Sequence, residues 1–205
     1  MKRVRLPALL LRCPPVLLLG SLLIASSCRL YLGDLQVVVE CDSIPSELTF
    51  AQGNASWDEV EYTWGVFIDV DNNPATGDSA GFEAWIGVRK YGDYTAPYNA
   101  SVEQEIRSDA QLLCFEQGDW WRLQKCQLFK SGDTLVFFAS SGWHELSGLD
   151  GDSRIRIQTG YASPGGWVID TSPDAQVRDG ATDASGDVAF PFIDVVGGQV
   201  ILPPA

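Results

Sequence analysis

Between positions 69 and 83, five oxygen-bearing side chains stand at spacings that suit a hard cation: Asp69, Asp71, Asn73, Asp78 and Glu83. Asp69 and Asp71 are two apart, so on an extended strand both carboxylates leave the same face. If Asp71 and Gly81 flank an antiparallel hairpin, Glu83 returns on that face directly opposite Asp69. Carboxylates crowded in this way raise the cost of ionising one another. Calcium, which takes ~6–8 oxygens in a flexible geometry, relieves that repulsion. Thr76 and the loop carbonyls would complete the cage, although the spacing is not that of an EF-hand. The same residues also make turns without a metal, because Asp and Asn side chains accept hydrogen bonds from backbone just ahead of them. Both readings, a calcium site and a metal-free structured turn, stay open.

The hairpin that positions these groups has a register that can be read residue by residue. Ile68 meets Ala84, Val66 meets Ile86 and Trp64 meets Val88, which gives one apolar, core-facing surface. On the other face Phe67 meets Trp85, Gly65 meets Gly87 and Thr63 meets Arg89. An aromatic pair beside carboxylates and amides offers a sugar ring a flat apolar surface with polar edges. Phe67 and Trp85 are therefore the expected ligand-binding residues, against the alternative that loops cover this face.

Catalytic constellations are weak. His144 is the only histidine, and Ser140-Ser141-Gly142-Trp143-His144 lacks the glycine-flanked serine of a nucleophile elbow. A glycoside hydrolase-type enzyme needs only two carboxylates at a defined separation. With 27 acidic residues, however, suitable pairs arise by number alone. The chain reads as a non-enzyme, with no catalytic residue assigned.

Elsewhere period-two alternation recurs, over Leu35–Cys41, Val102–Ile106, Gln111–Phe115, Trp120–Leu123, Thr134–Ala139, Ile155–Tyr161, Trp167–Asp170 and Val188–Val195. Gly (20) and Pro (11) punctuate it, and no long amphipathic helix is visible. One short helical turn is expected within Ser141–Leu149, and a long loop over Asp170–Asp187. Many short strands with turns between them predict an all-β, antiparallel β-sandwich in a single domain, over residues 35–200.

Tyr62-x-Trp64-x-Val66-x-Ile68-Asp69-x-Asp71-Asn72-Asn73-x-x-Thr76-Gly77 followed by Gly81-Phe82-Glu83 resembles a hairpin of secreted bacterial β-sandwich domains, the DOMON and family 9 carbohydrate-binding-module group. Gly132-Asp133-Thr134-Leu135-Val136-Phe137 and Thr171-Ser172-Pro173-Asp174 are similar to parts of the same pattern, so the likeness runs over residues 34–195. The resemblance implies a jelly-roll-like sandwich and a binding or structural role, often with calcium, and it carries over no catalytic residue. Haem-binding members use Met or His ligands. The one Met here is Met1.

The amino end is basic, with Lys2, Arg3, Arg5 and Arg12, and is followed by an apolar core from Pro15 to Ala25. That core is shorter than the ~20 residues a spanning helix needs and reads as a signal peptide over residues 1–27. Ala25-Ser26-Ser27-Cys28 resembles a bacterial lipobox, which makes Cys28 the expected lipidation site and residues 28–34 a tether. An ordinary secretory cut at the same place is the alternative. Export leaves Cys28, Cys41, Cys114 and Cys126, of which Cys114 with Cys126 is the expected disulfide. It removes four of 14 basic residues and no acidic one, so 10 basic residues face 27 acidic ones and the net charge is −17. Such a surface repels nucleic acid and attracts cations.

These features predict an extracytoplasmic lipoprotein held to a membrane by its lipid alone. Its sandwich would bind an extracellular carbohydrate or a surface protein, with calcium as the expected ion. The other reading is a structural or assembly domain of the cell surface without a small ligand.

Overall fold

The computed structural model describes residues 34–44, 47–50, 59–93, 98–101, 110–163 and 166–204. The chain divides into Met1–Leu32 and Gly33–Ala205. The first unit, with the expected signal segment and the expected lipidation site Cys28, lies outside the described residues, as does the strand expected over Val102–Ile106. No helix among the described residues is long and apolar enough to cross a membrane.

The second unit is built from two antiparallel sheets. One runs in the order β13 (Ala181–Thr182), β14 (Val195–Ile201), β1 (Leu35–Cys41), β9 (Thr134–Ala139) and β8 (Gln127–Ser131). The other runs β11 (Gly166–Thr171), β10 (Arg154–Ser163), β3 (Glu59–Asp69), β4 (Ala84–Asp93), β6 (Ala110–Glu116) and β7 (Asp119–Lys125), with β12 (Ala175–Gln176) paired to one end of β10. A separate ribbon pairs β2 (Glu47–Phe50) with β5 (Tyr98–Ser101). The one helical feature among the described residues is a 3-10 turn at His144–Leu146, inside the segment where a short turn was expected.

Alternation puts every second side chain of the central strands between the sheets. Leu35, Val37, Val39, Leu135 and Phe137 come from the first sheet, and Trp64, Val66, Ile68, Ile86, Val88, Leu112, Ile155 and Ile157 from the second, all at 0% exposure. Burying one such side chain is worth roughly 1.5–3 kcal/mol, so a one-residue slip of any central strand would reverse its faces and is strongly opposed. The β3–β4 ladder therefore has the register its faces require: Trp64 opposite Val88, Gly65 opposite Gly87, Phe67 opposite Trp85 and Ile68 opposite Ala84. The all-β antiparallel sandwich is thus the architecture of the described residues.

Three expectations are corrected. The long loop expected over Asp170–Asp187 carries the end of β11 and the short strands β12 and β13. The strand expected over Val188–Val195 is a turn-rich loop, and the strand begins at Val195 and runs to Ile201. Pro191 cannot donate to a ladder, and Phe190 and Phe192 instead pack their rings against Tyr161 at 5.2 and 5.4 Å. The Cys114–Cys126 disulfide is absent: Cys41, Cys114 and Cys126 are buried free thiols. After the bulge in the β6–β7 pair, Cys126 N–H donates to the Ala110 carbonyl, whereas Cys114 lies opposite Trp121. Four residues along a strand is ~13 Å, well beyond the Cα separation a disulfide tolerates.

Candidate functional site

The hairpin tip gathers part of the expected oxygen set. Carboxylate oxygens of Asp69, Asp71 and Glu83 lie within 4.8 Å of one another. Asp69 is buried at 1% exposure, and its Oδ2 accepts from Arg154 Nε at 3.1 Å while Oδ1 accepts from Asn73 N–H. Arg154 is held there by Asp174 at 3.2 Å, by the Ala80 and Gly81 carbonyls, and by the Phe82 ring 4.4 Å beneath its guanidinium carbon. Glu83 Oε2 accepts from Val70 N–H.

The Thr76 hydroxyl lies 2.8 Å from Glu83 Oε1, 3.0 Å from Asp71 Oδ1 and 2.8 Å from the Asn73 carbonyl. One hydroxyl proton serves one acceptor at a time, so Asp71 and Glu83 compete for it. Burial pushes the Glu83 carboxyl above its usual range; the hydrogen bonds from Thr76 and Val70 pull it down, and the Asp71 and Asp69 charges push it up again.

The other two members of the expected set are turn-formers. Asn73 Oδ1 accepts from Ala75 N–H, and Asp78 Oδ1 accepts from Ala80 and Phe82 N–H. Asp78 stands outside the three-carboxylate group.

The outer face of the larger sheet holds a cavity of about 280 Å³. On this face the Trp85 indole covers Gly65 on β3 and Gly87 on β4, and Gly160 on β10 lines the hollow itself. Phe67, Trp85 and Trp120 line one part of it, Trp167 and Ile169 on β11 another, and Thr63, Gln158 and Arg89 supply polar groups. The aromatic wall is continuous, with Phe67 5.8 Å from Trp120 and 6.4 Å from Trp85, and Phe115 5.4 Å from Trp120.

The structure brings Phe67 and Trp85 together as expected, but Trp85 is only 4% exposed. Its indole lies over the glycines: a Cβ on Gly65 would be 2.5 Å from the ring, and one on Gly87 2.7 Å. Trp85 thus forms the wall of the groove, and the solvent-presented aromatic is Trp167, 57% exposed. Trp167 is not among the ligand-binding residues expected from the sequence. Its signal was the alternation of Trp167 and Ile169 against Val168 and Asp170, together with three strand glycines on one face, the usual mark of a close approach.

His144 is exposed on its 3-10 turn, and the Ser141 hydroxyl donates to Asp34 Oδ2 at 2.7 Å. A second carboxylate group, Asp170 with Asp187 and Asp194, was not foreseen. No family model, no curated protein and no solved structure matches this chain.

Proposed function

We propose that the chain is a non-catalytic, extracytoplasmic lipoprotein whose sandwich binds an extracellular ligand, carbohydrate first, in the groove on the outer face of the larger sheet. The observation that carries the reading is the pairing in one hollow of an exposed indole, a buried aromatic wall and the polar groups of Thr63, Gln158 and Arg89. A sugar ring presents a flat C–H face to the former and hydroxyls to the latter. The volume lies at the small end of ligand sites, which suits one unit of a longer chain. Among the described residues that line the groove none is a carboxylate, which favours a binding role over glycoside hydrolysis there.

Two further elements complete the proposal. The basic, apolar segment ending at Cys28 supports export and lipid anchoring. The single Thr76 proton, facing Asp71, Glu83 and the Asn73 carbonyl at once, leaves these oxygens short of donors and supports calcium at the hairpin tip, where it rigidifies the loop and takes no part in binding.

Retention on immobilised polysaccharides tests the function. The expected result is retention on at least one glycan, released by its soluble oligosaccharide. A blank panel with far-ultraviolet circular dichroism still showing an all-β fold overturns the ligand-binding reading in favour of a surface assembly domain.

A further inference from the structure

Far along the chain from the hairpin, the loop between β13 and β14 folds back over the end of β11. Asp170, at 7% exposure on β11, accepts from Thr171 N–H at Oδ1 and from Val195 N–H at Oδ2, the latter at 2.6 Å. Asp194, at 1% exposure, accepts from Gly186 N–H at Oδ2, also at 2.6 Å. Its other oxygen, Oδ1, is buried and has no hydrogen-bond partner. Asp187 lies on the solvent side of the same loop, and oxygens of the three carboxylates fall within 4.8 Å of one another.

This group differs from the hairpin cluster in one decisive respect. Asp69 has Arg154 beside it. The ion pairs among the described residues run through Arg154, Arg156 and Arg178, and none reaches Asp170, Asp187 or Asp194. A buried carboxylate oxygen with neither donor nor counter-charge is costly, by far more than an unmade neutral hydrogen bond. Protonating Asp194 would remove one charge and still leave the carboxylates of Asp170 and Asp187 crowded beside it. A cation seated among the three carboxylates resolves it directly.

We propose that Asp170, Asp187 and Asp194 form a cation site, with calcium as its ion. The donors are all hard oxygens, and neither histidine nor thiolate belongs to the trio, which excludes a preference for zinc or copper. Three carboxylates leave several positions of a calcium shell for backbone carbonyls and water, and exposed Asp187 provides the way in. The site pins the segment from Asp183 to Asp194 onto β11, and that strand carries Trp167 and Ile169 of the groove on its other face.

Calcium titration calorimetry on the metal-stripped full chain in detergent tests the site, with Asp71→Ala used to separate it from the hairpin. The Asp71→Ala variant is expected to take up one calcium and to gain melting temperature from it. Asp187→Ala in that background is expected to weaken the uptake at least about tenfold, the scale that even outer-shell changes reach. Asp187 makes no hydrogen bond among the described residues, so its removal should spare the fold; Asp187→Asn, which keeps size and removes charge, serves as the second variant. Calcium uptake that is absent from Asp71→Ala, or that persists undiminished in both Asp187 variants, overturns the site. Whether wild type binds one more calcium than Asp71→Ala decides the hairpin separately.

Discussion

The Trp85 indole occupies the space that a side chain at Gly65 would take: a Cβ there would stand 2.5 Å from both Cε2 and Nε1 of the ring. Glycine at 65 is thus the condition for an aromatic wall lying against the sheet. The backbone at Gly65 is ordinary strand, paired with Gly87 and Gln158, so the requirement is for space and not for an unusual dihedral angle.

Gly65→Ala is accordingly expected to destabilise the protein by about 1–3 kcal/mol, the usual cost of overpacking. Near-ultraviolet circular dichroism should change as the indole is displaced. Urea unfolding checks the first part. A midpoint and near-ultraviolet spectrum equal to wild type would mean that Trp85 does not lie over Gly65.

The three described thiols should be inert until the chain unfolds. Burial, and then the charges of Asp170 and Asp194, push the Cys41 thiol up to about 12. Burial, opposed by a hydrogen bond with Gln124, pushes Cys126 up to about 12, and burial followed by the Glu116 charge pushes Cys114 up to about 11. Since the thiolate is the reactive form, alkylation at about pH 8 should leave all three unmodified in buffer and modify all three in urea. A Cys114–Cys126 cross-linked peptide in a non-reducing digest would contradict the register of β6 and β7.

Stability in chelator should carry a pH signature of Glu83. Its unfolded-state carboxyl ionises at the ordinary value of 4.5, and burial raises the folded one above it. Between the two the folded state binds more protons than the unfolded state, so stability falls as pH rises upward from 4.5 and levels off above the folded value. Glu83→Gln should remove part of that fall. Asp170, raised first by burial and then by the Asp187 and Asp183 charges, contributes in the same direction. Melting temperature against pH in EDTA measures the slope, and an unchanged slope in Glu83→Gln would assign it elsewhere.

What could be read from the sequence follows a physical division. The β3–β4 register was legible because Trp64, Val66 and Ile68 must meet Val88, Ile86 and Ala84 on one buried face, and a two-residue period leaves no other choice. The clustering of Asp69, Asp71 and Glu83 followed from that register. Asp170, Asp187 and Asp194 were not legible, because a long connection brings them together and no local pattern records it. Arg154 was hidden in the same way, although it sits directly opposite Asp69 across β10 and β3. Val188–Val195 alternates well enough to pass for a strand, and only the tertiary packing of Phe190 and Phe192 on Tyr161 shows otherwise.

The central claim is that the groove, and not exposed tryptophan in general, holds the ligand. Trp167 in the groove and Trp121 on β7, which does not line it, are 57% and 59% exposed, so their removal costs similar, small amounts of folding stability. The deciding measurement is the affinity of Trp167→Ala and Trp121→Ala for a glycan that retains the wild-type protein. The expected result is a loss of at least about tenfold, ~1.4 kcal/mol, in Trp167→Ala and wild-type affinity in Trp121→Ala. Equal affinity in wild type and Trp167→Ala, or a loss confined to Trp121→Ala, would contradict the assignment of the groove as the binding site.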